Sequence, residues 1–188
     1  MSGQKFSRGQ SLIETLVAIT VMVIGVFGAV YLGVFTIRAA QTSQLDVVAE
    51  NLAREGIESV RWIRDFNWRQ AIDWDTGLAD GQCYRLEIGN DGAPENGYPT
   101  LTKIDCPGTS GSPDYRLCLD TNLGQYFHDA LGGDCTKIGK SVEPSAFLRS
   151  ITVERIDDYL QVTCLVTRDG GLGSVDYSVV ENLYNWKQ

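Results

Sequence analysis

The distribution of apolar and polar positions divides the chain into stretches of different period. Residues 1–9 are polar and carry Lys5 and Arg8 but no acid. From Leu16 to Ile37 run 22 residues without a charged side chain. A helix of that length spans about 33 Å, enough to cross the roughly 30 Å hydrocarbon core of a bilayer. Beyond Arg38 the apolar positions narrow to a stripe. Leu45, Val48, Ala49, Leu52, Gly56, Val60 and Ile63 recur at three- and four-residue steps, while Glu50, Arg54, Glu58, Arg61 and Asp65 fall opposite them with alternating sign. No proline interrupts this stretch, and Gly56 is its one glycine. The pattern predicts a single helix of roughly 50–55 residues, apolar all round at first and amphipathic afterwards.

Residues 66–146 have another character. All five prolines and four of the five cysteines (Cys83, Cys106, Cys118 and Cys135) lie here. Turn signals such as Asn90-Asp91-Gly92 and Pro107-Gly108 separate candidate strands at Tyr84–Ile88, Tyr115–Leu119 and Gln125–His128. An irregular, disulfide-stapled region is expected. In residues 147–188 the period is two. Phe147–Ile156 alternates, and Leu160, Val162, Cys164 and Val166 share one strand face. Asp169-Gly170-Gly171 then turns the chain into a strand at Val175–Val180. Two or three antiparallel strands here would cover the apolar stripe of the helix. The predicted class is α+β, a long N-terminal helix packed on an antiparallel sheet. The organisation expected is an apolar helix half over 10–37 and an outer domain over 38–188, itself made of 38–65, 66–146 and 147–188.

Charge and chemistry narrow the function. The formal net charge is −8, which opposes nucleic-acid binding over the whole surface, because such binding needs clustered cations. No nucleic-acid partner is indicated. His128 is the one histidine; no nucleophile accompanies it, and its place at a strand end reads as surface. There is no C-x2-C pair for zinc and no Walker A motif. Asn90, Asp91, Glu95 and Asn96 do not follow the EF-hand spacing and read as a polar turn rather than a calcium site. The expectation is a protein with no catalytic set, metal or cofactor. Lys5 and Arg8 mark the N-terminal side of the apolar helix as cytoplasmic, which places residues after Arg38 outside, where disulfides form. Cys164 faces inward on its strand. Either it is a buried free thiol while Cys83, Cys106, Cys118 and Cys135 make two bridges, or it pins a loop to the sheet and another cysteine is free.

The junction Arg8-Gly9-Gln10-Ser11-Leu12-Ile13-Glu14 joins a short basic leader ending in glycine to an apolar run headed by one glutamate. This resembles the signal of type IV prepilins, shared by type IV pilins, minor pilins and type II secretion pseudopilins. The resemblance implies cleavage by prepilin peptidase between Gly9 and Gln10, with residues 1–9 as the leader. It further implies N-methylation of Gln10 and docking of Glu14 on the N-terminus of an adjacent subunit. Removal of Lys5 and Arg8 would take the formal charge from −8 to −10. The family most often starts with phenylalanine, where this chain has Gln10. Ala53-Arg54-Glu55-Gly56-Ile57-Glu58 and Ile63-Arg64-Asp65-Phe66-Asn67-Trp68 are similar to stretches of the pilus-modification minor pilins. Trp62, Phe66 and Trp68 are expected to pack where helix meets sheet. Gly25, Ala29 and Gly33, four residues apart, would let apolar helices approach closely.

What the resemblance implies is a minor-pilin subunit. It would be held in the cytoplasmic membrane through residues 10–37, with its C-terminal domain outside, and then enter an extracellular pilus. Its partners would be other pilin subunits, the peptidase and the assembly platform. The alternatives are a type II secretion pseudopilin and a single-pass membrane-anchored binding protein.

Overall fold

The structure is a computed structural model and describes residues 8–87, 99–106, 115–128, 135, 138–170 and 173–185. The chain forms two compact units, Met1–Asp46 and Val47–Gln188. One helix, α1, runs over Arg8–Arg69 and contributes to both. At 62 residues it exceeds the 50–55 that the sequence predicts, because it starts as early as Arg8 and continues past Asp65.

In the first unit the large side chains from Leu12 to Ile37 are exposed throughout. The threonine hydroxyls of this stretch turn back on their own helix. Thr15 Oγ1 donates to Leu12 O at 2.9 Å, Thr20 Oγ1 to Leu16 O at 2.8 Å and Thr36 Oγ1 to Gly33 O at 2.8 Å. With these donors satisfied internally, the helix wall presents almost only hydrocarbon.

The second unit is a seven-stranded antiparallel sheet against which the later turns of α1 pack. The strands are β1 (Gln82–Glu87), β2 (Thr100–Ile104), β3 (Arg116–Asp120), β4 (Gln125–His128), β5 (Val142–Ile156), β6 (Tyr159–Gly170) and β7 (Gly173–Tyr184). Fifteen-residue β5 is the spine. One of its edges pairs with β1 near Ile151 and Val153 and with β3 from Val142 to Leu148; the other pairs with β6 along most of its length. β2 flanks β1, β4 flanks β3, and β7 flanks β6. Residues 66–146 are therefore less irregular than expected. They supply four strands to the same sheet, including β2, which the sequence pattern does not flag.

The core forms between the stripe of α1 and the inner row of the sheet. Ala49, Leu52, Ala53, Ile57 and Val60 meet Phe147, Ile151, Val153, Leu160, Val162, Cys164 and Val166. The inner row of β6 is the one the alternation predicts. Opposite the stripe, Arg54 pairs with Glu50 at 2.6 Å, and Arg61 pairs with Glu58 and reaches across to Glu181 on β7. The Glu181 carboxylate raises the pKa of the Arg61 guanidinium.

The helix ends by its own hydrogen bonding. Ala71 N donates to Trp68 O and Ile72 N to Asn67 O, with Ala71 at φ 56°. This is a Schellman termination whose left-handed position normally holds glycine. Alanine there costs about 1–2 kcal/mol of backbone strain. Ala71→Gly is expected to raise stability by up to about 1 kcal/mol, net of glycine's greater chain entropy, measured as the shift in urea midpoint at unchanged m-value. Beyond the cap, the Asn67 amide donates to Trp74 O at 3.1 Å and Thr76 O at 2.9 Å and holds the connecting loop against the helix end.

Candidate functional site

The residues singled out by the sequence lie in two places. The first is the head of α1. Gly9 and Gln10 are in its first turns, and Glu14 is exposed one turn further on, with Ile13, Leu16 and Val17 exposed around it. The four leading amides of a helix lack internal acceptors and its first turn frays readily, so a peptide bond between Gly9 and Gln10 is in the most openable part of α1. Past Glu14, α1 is long and apolar enough to cross a membrane, and none of its most apolar window is buried within the chain. Around Gly25, Gly28 and Gly33 an added Cβ would meet nothing within 4 Å. Among the described residues no packing requires glycine there.

The second place is the interior of the outer unit. The cysteines form two bridges, Cys83–Cys106 and Cys118–Cys135, and leave Cys164 as a buried free thiol. This decides between the two readings of Cys164 that the sequence leaves open. The bridges close loops with sequence separations of 23 and 17. Each removes denatured-chain entropy worth about 3 kcal/mol in the loop-closure account. Burial pushes the Cys164 thiol up to about 11, the Arg149 cation opposing and Glu55 assisting. At neutral pH the group is a protonated, apolar filler and not a nucleophile.

Next to Cys164, β5 carries an arginine on its core face. Arg149 is fully buried. Its Nη1 donates to Glu55 Oε2 at 2.9 Å and to Leu52 O at 3.3 Å, both on α1. Its Nε and Nη2 are buried without a hydrogen-bond partner among the described residues. The sequence carries a signal for this residue. In the inward row Phe147, Arg149, Ile151, Val153, one position breaks the apolar period. The ion pair ties the sheet to one turn of α1.

His128 corrects the sequence reading, which puts it at the surface. It is buried, with Nδ1 2.9 Å from Leu86 O and Nε2 3.2 Å from Tyr115 O. Burial first, then the Arg149 and Arg85 guanidiniums, lower its pKa to about 3, against the pull of the two carbonyls. A neutral ring donates through one nitrogen only, and the shorter contact assigns the proton to Nδ1. Through that proton His128 ties β4 to Leu86 of β1, and among the described residues no nucleophile is hydrogen-bonded to it.

Among the described residues no group of three or more His, Cys, Asp or Glu side chains is arranged to hold a metal. The polar turn at Asn90, Asp91, Glu95 and Asn96 lies outside the described residues. Trp68 is buried as expected and donates from Nε1 to Asn185 Oδ1 at 3.3 Å. Trp62 and Phe66 stack at 5.0 Å and, with Ile63, Gly77, Pro99 and Leu101, line an apolar cavity of about 290 Å³. Comparison with protein-family models, with characterised proteins and with solved structures returns no match.

Proposed function

We propose that this chain is a structural subunit of a type IV pilus-like filament, a minor pilin, and not an enzyme. The observation that carries the reading is the head of α1. A leader with Lys5 and Arg8 ends at Gly9, Glu14 follows four residues after Gln10, and the helix beyond is exposed hydrocarbon from Leu16 to Ile37. Such a surface is not stable in water. At about 25 cal/mol per Å² of apolar area, its burial in a bilayer or against like helices is the dominant energy available to this segment. The chain waits in the cytoplasmic membrane through residues 10–37, with its disulfide-bonded unit outside, and is drawn from there into the fibre.

Glu14 has a definite task on this reading. A carboxylate at membrane depth costs about 2.5–3.5 kcal/mol on insertion scales. Cleavage after Gly9 frees the amine of Gln10, and methylation keeps that amine cationic. An ammonium about 4 Å from a carboxylate returns roughly 4 kcal/mol at an effective dielectric of 20. Pairing of Glu14 with the N-terminus of a neighbour thus offsets the cost and selects the axial register between subunits. The open space around Gly25, Gly28 and Gly33 supports close packing of neighbouring helices at those positions.

The test is mass analysis of the protein extracted from membranes. A mature chain beginning at methylated Gln10 is expected, and one that retains Met1 overturns the reading. Glu14→Ala is expected to insert and fold normally but to lose incorporation into filaments at least tenfold, scored by immunoblot of sheared fibres against the membrane fraction. Normal incorporation of that variant would remove the docking role of Glu14.

A further inference from the structure

The sheet has a long edge that nothing in the described chain guards. β7 has twelve residues and pairs with β6 in unbroken register from Gly170↔Gly173 to Tyr159↔Tyr184. Among the described residues its other edge pairs with no strand. Soluble proteins blunt such edges with lysine, proline, bulges or short length, because an open row of backbone donors and acceptors recruits another strand. The other two edge strands follow that rule. β2 has five residues and includes Lys103, and β4 has four. β7 has no lysine, arginine, proline or bulge. Its outer face presents Ser174, Asp176, Ser178, Val180, Asn182 and Tyr184, with Val180 54% and Tyr184 51% exposed.

We infer that β7 is a docking edge for an extended segment of a different polypeptide, added antiparallel to it as an eighth strand. Antiparallel addition continues the β5–β6–β7 meander, and only antiparallel ladders commonly keep one face in water. The charges select the occupant. β7 bears Asp176 on its outer face and no base, and its Glu181 is already paired with Arg61, so a second β7 would bring a second Asp176 carboxylate to that face and no cation. A partner strand carrying a basic side chain opposite Asp176 and apolar side chains opposite Val180 and Tyr184 is complementary. Read from its N-terminus, that strand has an apolar residue, another four positions later, and a lysine or arginine four positions after that. Directly opposed pairs of this kind are the unit of sheet stabilisation. Backbone hydrogen bonds supply affinity, and the alternate side chains supply selectivity.

The experiment places a photo-crosslinking amino acid at Ser174, Ser178 or Asn182 of the full chain in its native membrane and maps the linked residues by mass spectrometry. The expected result is one segment of another protein linked from all three positions in reversed order, Ser174 to its C-terminal end and Asn182 to its N-terminal end. The double substitution Val180→Lys and Tyr184→Lys, at exposed outer-face positions, is expected to lower the yield at least tenfold with the thermal unfolding midpoint unchanged. Links in parallel order, links only to a second copy or within the chain, or no links above those from an exposed position on α1 such as Glu50 would each overturn the inference. The proposal stands on the sheet alone. A protein that keeps its leader and never enters a filament still offers this edge, so the two readings fail separately.

Discussion

Gly56→Ala is expected to destabilise the outer unit although alanine is the better helix former by about 1 kcal/mol. A Cβ at Gly56 would lie 2.4 Å from Cys164 Sγ and 3.4 Å from both Cys164 Cβ and Ile151 Cδ1. The obstacle is a fully buried thiol on a rigid inner row, so either the thiol rotates into packed neighbours or the helix lifts off the sheet. Overpacking of this kind costs about 1–3 kcal/mol; after the propensity gain the net loss is up to about 2 kcal/mol, and Gly56→Val should lose about 3 kcal/mol or more. The distances specify the rescue. Cys164→Ala removes the one atom closer than 3 Å and costs about 1 kcal/mol by itself for the small void. Combined with Gly56→Ala, the new methyl occupies part of that void, so the double variant should be more stable than the sum of the singles by about 1–2 kcal/mol. Urea unfolding of the four proteins closes the cycle. Additive losses would mean that helix and sheet do not meet at Gly56 and Cys164.

Acid should weaken the same unit through His128. The ring is neutral when folded, with its pKa lowered from 6.5 to about 3, whereas in the unfolded chain it titrates near its ordinary value. Below pH 6.5 the unfolded state therefore binds a proton that the folded state does not. Its stabilising contribution is complete above that pH and falls by up to 1.36 kcal/mol per pH unit as acidity increases towards the folded value. Between pH 6.5 and 4.5 the loss is roughly 2–3 kcal/mol, large against the 5–15 kcal/mol typical of a domain. His128→Gln is expected to start less stable at pH 7, having lost a ring shaped to its site, and to show a much flatter decline down to pH 4.5. Subtracting the two curves removes what the carboxylates contribute to both. Parallel curves would show that His128 is accessible to protons in the folded protein.

The elements whose pattern was longest were the most legible. The stripe of α1 and the alternation of β6 predicted each other's partner surface, and Leu160, Val162, Cys164 and Val166 are all buried against that stripe. The burial of Cys164 followed from the same alternation, whereas its being free did not. β2 escaped because a five-residue, half-exposed edge strand repeats its period too few times to stand out from a loop. His128 was misread for a different reason. Its burial depends on Leu86, 42 positions away, and on Tyr115, and a strand end carries no record of what folds over it. Arg149 was readable in principle, as the one charge in an inward row. Glu14 differs again. On the proposed reading its partner belongs to another molecule, so the offset from Gly9 in the sequence says more about it than the coordinates of one chain.

The two bridges have a consequence for how this protein can vary. Cys83–Cys106 closes a ring across the open end of the β1–β2 hairpin, and Cys118–Cys135 closes one from β3 through β4. A residue inserted between β1 and β2, or between β4 and Cys135, lengthens an already closed ring, and doubling a ring's length adds only about 0.6 kcal/mol of closure cost. Insertions at those places are therefore expected to leave the sheet intact. A protease that cuts once inside either ring leaves the two ends still covalently joined.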